Sequence, residues 1–148
     1  MLEFIVKSKY NIIVFDNQDD IEFDLKQEIY FEPTKLKNDI YQLNIGLSDN
    51  KIINDKLMDI ENELRQLDSI EDIYVGNKDF VSSLRKAKNG FPLLKCKLTK
   101  KTKYSDNISL DTLNKGDKVY MKLCVKNIYV NRNTYGLNVE VIKLCRII

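Results

Sequence analysis

Histidine is absent from this chain of 148 residues. That removes Ser-His-Asp and Cys-His catalysis, imidazole general-base chemistry and histidine metal sites together. Cysteine is scarce: Cys96, Cys124 and Cys145 form no CxxC pair, and their odd number prevents complete pairing into disulfides, so a reducing compartment is the simpler home. Each lies among Leu, Val and Met in a predicted strand, which makes them sheet or core residues rather than metal or redox ligands. Gly76, Gly90 and Gly116 are isolated turn glycines, and neither a GxGxxG nor a P-loop pattern occurs. No apolar run approaches the roughly 20 residues a membrane span needs. The N-terminus offers only Phe4-Ile5-Val6 before Lys7, too little for a signal-peptide core, so a cytoplasmic or nuclear location and no membrane contact are expected. The acidic group Asp16, Asp19, Asp20, Glu22 and Asp24 matches no metal-loop spacing. No metal, no cofactor and no catalytic residue are expected, and the chain reads as a non-enzyme.

Charge, by contrast, is abundant and unevenly placed. The net +2 conceals an acidic first half, with 17 Asp and Glu against 8 Lys and Arg in residues 1–75, and a basic second half, with 16 against 5 in the opposite sense. Such asymmetry points to a face that attracts a polyanion and a second region that avoids one or pairs with a basic partner.

Periodicity is mainly that of strands. Leu2-Phe4-Val6 alternate, Tyr10 to Phe15 form a second extended run, and Asp16 to Asp20 make a polar turn. Ile21-Phe23-Leu25 alternate with charged residues, Ile29-Tyr30-Phe31 extend to Pro33, and Ile40 to Leu47 place Tyr41, Leu43, Ile45 and Leu47 on the core side. One amphipathic helix is predicted from about Lys51 to Leu67, capped by Ser48, Asp49 or Asn50, with Ile53, Leu57, Ile60, Leu64 and Leu67 as its stripe. Its acids, Glu61 included, are assigned to the outer side. Ile70 to Val75 reads as a short strand, Phe80 to Leu84 as a helical turn, and Lys100 to Asn114 as a polar loop.

The last third carries the clearest pattern. After the turn Lys115-Gly116-Asp117, a long strand from Lys118 to about Val130 sends Val119, Met121, Leu123 and Val125 one way and Lys118, Tyr120, Lys122, Cys124 and Lys126 the other. A hairpin near Asn131 to Gly136 returns it, and the alternation slips at Val141-Ile142, the mark of a bulge that lets a small barrel bend. The expected fold is mainly β, a five-stranded barrel with additional strands and one main helix, filling residues 1–148 as one domain.

The outward set of that strand combines cations with an aromatic ring. Side chains spaced about 6.6 Å apart along a strand suit an extended single-stranded polyanion, with bases on rings and ammonium groups on phosphates. Lys95 and Lys97 lie across the expected ladder, Lys100, Lys101, Lys103 and Tyr104 lie in the adjoining loop, and Tyr129, Arg132 and Tyr135 extend the pattern toward the hairpin tip. With no reading helix and no base-reading pair of Arg, Asn or Gln, binding is expected to be largely independent of sequence.

The run Leu113-Asn114-Lys115-Gly116-Asp117-Lys118-Val119-Tyr120, the strand through Tyr129 and the return Tyr135-Gly136-Leu137 to Leu144 resemble the closing hairpin of viral and bacteriophage single-stranded DNA-binding proteins with an OB fold. The resemblance covers about residues 91–148. It implies an OB-like domain that protects or organises single-stranded DNA in replication, recombination or repair. It puts Lys118, Tyr120, Lys122 and Lys126 on the DNA-facing strand, with Tyr129, Arg132 and Tyr135 near its outer end. Members of that group frequently dimerise, so a homodimer is among the assemblies implied. Many end in an acidic tail that recruits replication enzymes; here the final residues are Lys143-Leu144-Cys145-Arg146-Ile147-Ile148, leaving the acidic N-terminal half as the surface for replication proteins. Two other readings stand beside this one: an adaptor whose basic half docks on an acidic protein, and an RNA-binding factor.

Overall fold

The computed structural model describes all residues except Lys9, Phe31, Ser48, Asp49 and Ile148. Five strands close a barrel: β1 (Glu22–Glu28), β2 (Ile40–Gly46), β3 (Pro92–Leu98), β4 (Lys118–Val130) and β5 (Thr134–Arg146). β1 pairs antiparallel with β4, β4 with β5, and β3 with β2, while β3 meets β5 in parallel at Lys97 and Glu140. An Ile29–Ile45 bridge returns β2 to the end of β1. The circular order 1-2-3-5-4-1 with a parallel 3–5 contact is the Greek-key closure of an OB barrel. Its interior holds Leu25, Ile45, Leu94, Leu98, Val119, Leu123, Val139 and Leu144, one residue in two from each strand.

Two bulges bend the long hairpin. Lys122 faces Lys143 but Leu123 faces Val141, which leaves Ile142 as the extra residue where the alternation slips. The second, unforeseen, falls at Lys126, between the pairs Val125–Val139 and Asn127–Asn138. It reverses the parity of β4, so Ile128 and Val130 enter the core while Asn127 and Tyr129 continue the outer face.

Helix α1 (Lys51–Arg65) buries Leu57, Ile60 and Leu64 against the barrel, as the stripe predicts. Asn50 occupies the N-cap without a side-chain cap hydrogen bond, and the other two cap candidates, Ser48 and Asp49, lie outside the described residues. Glu61 is not on the outer side. It is buried and accepts hydrogen bonds from Ser82 Oγ, from Ser83 N at 2.8 Å and from Ser83 Oγ at 2.7 Å, so a satisfied carboxylate tethers the helix to residues 82–83.

Three local expectations are corrected. The segment 70–75 is not one strand but a small hairpin of Ser69–Ile70 and Ile73–Tyr74, turned at Glu71 with φ +53°. Phe80 lies in a strand, Asp79–Val81, paired in parallel with the start of β5, because β5 offers a free edge there. Leu84–Lys86 pairs with β3, and the loop after β3 contains a short strand, Lys103–Tyr104, beside β5. The N-terminal strands Leu2–Ser8 and Asn11–Asp16 extend the sheet past the upper end of β4. Among the described residues, no helix is long and apolar enough to cross a membrane, and no three metal-ligating side chains cluster.

Candidate nucleic-acid interface

The outer face of β2 and β3 presents Gln42 and Asn44 beside Lys97 and Lys95, their cross-strand partners. A groove of about 500 Å³ runs over this face, bounded by Leu36 and Lys37 from a short strand (Thr34–Lys37), by Val81 to Ser83, and by Tyr129, Asn131 and Asn138 of the β4–β5 hairpin. Neither Lys95 nor Lys97 forms an ion pair among the described residues. Burial lowers both pKa values below 10.5; for Lys95 the nearby Arg85 charge adds to this and the Glu61 carboxylate opposes it, while for Lys97 the Glu140 carboxylate opposes the repulsion from Lys37 and Lys95. Lys97 Nζ donates to Asn138 Oδ1 at 2.7 Å, and Asn138 Nδ2 donates to Asn127 Oδ1 at 3.0 Å, so the ammonium is aimed by a row of amides. Half-buried cations that are held in no ion pair are an environment that gains from an incoming anion.

Tyr129 supplies the ring in this groove and is seated by Gly136. A Cβ at Gly136 would fall 2.5 Å from the Val81 carbonyl oxygen and 2.7 Å from the Tyr129 hydroxyl, so only glycine lets the ring and the Asp79–Val81 strand approach together. Residues 82–83, held by Glu61, form the adjoining rim, and Ser83 O accepts from Lys95 N at 2.8 Å.

A second groove, of about 390 Å³, lies lower on the barrel and gathers Lys103, Tyr104, Tyr120, Lys122 and Lys143, with Asp24 and Cys145 at its margin. Tyr120 is 51% exposed, and Lys26 Nζ lies 5.2 Å from its ring centroid. The expected single path along β4 is therefore divided between two grooves.

Other expected positions are arranged differently. Tyr135 is 3% exposed: its parity on β5 points inward, its hydroxyl donates to Leu64 O at 3.1 Å, and its ring meets Phe80 edge-on at 5.1 Å. It joins the helix to the barrel and offers no face to a base. Lys118 and Lys126 are exposed, Lys101 is exposed, and Lys100 is paired with Asp39 at 3.1 Å. Arg132 sits exposed at the hairpin tip, where Lys78 Nζ donates to the carbonyls of Asn131 and Arg132.

The segregation of charge along the chain does not survive folding. β1, from the acidic half, lies directly against β4, with Glu28 opposite Lys118, Asp24 opposite Lys122, and Lys122 Nζ 3.6 Å from Glu22. Lys37, Asn138 and Lys143 escaped the sequence reading. Lys37 follows Pro33 in a four-residue strand without periodicity, and Lys143 lies just after the bulge, where parity is lost.

The architecture is an OB barrel; in OB folds the strand 2–3 face and the loops 1–2 and 4–5 bind oligonucleotides and oligosaccharides. No family model and no curated protein matches the sequence. Among solved structures the chain is similar to gp2.5, a single-stranded DNA-binding protein encoded by bacteriophage T7, with a TM-score of 0.60 and 12% identity over 85% of this chain and 91% of that one. It is also similar to the single-stranded DNA-binding protein from bacteriophage Enc34 in complex with ssDNA, with a TM-score of 0.55 and 10% identity over 99% of this chain and 94% of that one. The likeness is one of fold, an OB barrel shared with these phage proteins.

Proposed function

We propose that this chain binds single-stranded DNA, largely without regard to sequence, in the groove over β2 and β3, and so protects or organises it during replication, recombination or repair. The observation that carries the reading is Lys95 and Lys97, half-buried, in no ion pair among the described residues and beside Tyr129, on the face that OB barrels use for oligonucleotides. Lys37 adds a third cation, and the amides of Gln42 and Asn138 provide neutral contacts for sugar and base edges. The named partners of the similar phage proteins agree with this ligand.

A salt titration of binding to fluorescent oligo-dT tests the reading. Each phosphate neutralised on a single strand contributes about −0.7 to the slope of log affinity against log salt, so Lys37, Lys95 and Lys97 together account for roughly −2. Lys95→Gln and Lys97→Gln should each flatten the slope by about 0.7. Tyr129→Leu should weaken binding by about 1–3 kcal/mol and leave the slope alone. Duplex DNA competing as well as single strands at equal phosphate would overturn the reading; oligo-U outcompeting oligo-dT would reassign the ligand to RNA.

A further inference from the structure

The second groove contains an arrangement that a solvated sheet face avoids. Lys122 and Lys143 are directly opposed on the β4–β5 ladder, and Lys143 is directly opposed in turn to Lys103 on the neighbouring parallel strand. Three ammonium groups thus stand in one row across three adjacent strands, which lie about 4.8 Å apart. Like charges in directly opposed positions destabilise a sheet. The available relief is small: Glu22 reaches Lys122 at 3.6 Å and Asp24 faces it from β1, while neither Lys103 nor Lys143 forms an ion pair among the described residues.

Beside this row lie two aromatic rings, one in each of the next two rows of the ladder. Tyr120 is paired with Cys145 on one side and with Lys26 on the other, and Tyr104 stands next to Leu144, one residue on from Lys103. Both rings line the same groove as the three lysines. Tyr120 is half exposed and has a cation near its ring, whereas Tyr104 is half buried, and burial raises its pKa, so it remains a neutral ring at physiological pH. An anionic group and a flat aromatic one, close together, fit the groove at once.

From this we infer that the groove formed by Lys103, Lys122, Lys143, Tyr104 and Tyr120 is a second nucleotide-binding site, which holds a phosphate on the lysine row and a base against Tyr120. It lies on the β1–β4–β5 side of the barrel, away from the β2–β3 face. Its occupant is a nucleotide unit of the same single strand, and in that respect the inference rests on the function proposed above. Tyr129 and Tyr120 are both on the outer side of β4 and nine residues apart, which at about 3.3 Å per residue is roughly 30 Å. A strand filling both grooves would therefore fall within the roughly 4–16 nucleotides that one OB barrel occupies.

The test compares dT4 and dT16 on the full chain, unmodified and as Lys143→Gln, Tyr120→Ala and the double variant Lys95→Gln/Lys97→Gln. Lys143→Gln is expected to flatten the dT16 salt slope by about 0.7 and, by relieving the lysine row, to hold or raise the melting temperature; Tyr120→Ala is expected to weaken dT16 at least fivefold with melting unchanged, and circular dichroism is unchanged in both. In the double variant, the dinucleotide pTpT should still shift the NMR signals of Tyr104 and Tyr120. Unchanged dT16 binding in both Lys143→Gln and Tyr120→Ala would overturn the site. So would inorganic phosphate producing the same ring shifts as pTpT, since the base would then play no part. If dT16 fails to bind even the unmodified chain while pTpT shifts Tyr120, the β2–β3 reading fails and the second site stands for free nucleotides.

Discussion

Gly136 faces Tyr129 across the β4–β5 ladder, and a methyl group added there would lie 2.5 Å from the Val81 carbonyl oxygen, 2.7 Å from the Tyr129 hydroxyl and 3.0 Å from Tyr129 Cζ. Contacts that short are not tolerated, so Gly136→Ala must push back the Asp79–Val81 strand, the tyrosine ring, or both. The nearest atom is backbone, and it belongs to a strand paired with β5 itself, so it cannot simply rotate away. Overpacking of this kind costs about 1–3 kcal/mol. At roughly 2–4 °C per kcal/mol for a chain of this size, the melting temperature should fall by several degrees. Displacing Tyr129 should also remove much of the roughly 1–3 kcal/mol that one stacked base contributes, about tenfold in affinity for oligo-dT at mid-range. Gly90→Ala is the matched control. Its φ of +84° strains any side chain, at about 1–2 kcal/mol, but a Cβ there meets nothing within 4 Å. It should lower stability without touching DNA affinity. Thermal melts and oligo-dT titrations on both variants separate the effects: if Gly136→Ala binds as tightly as the unmodified chain, the close approach at this glycine is not what seats the ring.

Because burial depresses the pKa values of Lys95 and Lys97, and a bound phosphate would raise them again, oligo-dT affinity should be complete below the depressed values and fall as pH rises through them, before 10.5 is reached. An affinity unchanged up to 10.5 would show that these lysines do not hold phosphate. Gln42→Glu sets a carboxylate opposite Lys97 and should weaken binding while flattening the salt slope by about 0.7, with the melting temperature held or slightly raised, as salt titrations and melts will show. Tyr135→Phe removes the hydroxyl that bonds Leu64 O and should cost about 0.5–1.5 kcal/mol in denaturant unfolding, with no change in DNA affinity.

The barrel was legible in its parts. The alternation in β4 and β5, the core side of β2, the slip at Ile142 and the apolar stripe of α1 are all period-based signals, and the structure realises each of them. What escaped depends on partners distant in the chain. The Lys126 bulge leaves no mark, because Lys126 and Asn127 are both polar and a reversal of parity between them is silent; the inward turn of Tyr135 hides in the same way behind a residue type suited to either face. Glu61 reads as one more acid on an acidic helix until Ser82 and Ser83, some twenty residues on, fold back to satisfy it.

Counting charge by halves of the chain also misled, for a reason that the barrel makes explicit. Closure sets strands of the acidic half beside strands of the basic half twice, β1 against β4 and β2 against β3. On β1 the outward residues facing lysines are Glu28 and Asp24, so Lys118 and Lys122 each meet a carboxylate-bearing residue across that ladder. On β2 the corresponding residues are Gln42 and Asn44, which carry no charge, so Lys97 and Lys95 meet no carboxylate across this ladder. The lysines of β4 thus face acids across one ladder and those of β3 only amides across the other, and the difference lies in the residues of the neighbouring strand. Net charge gives a domain's tendency toward polyanions; register decides which of its cations are left to meet one.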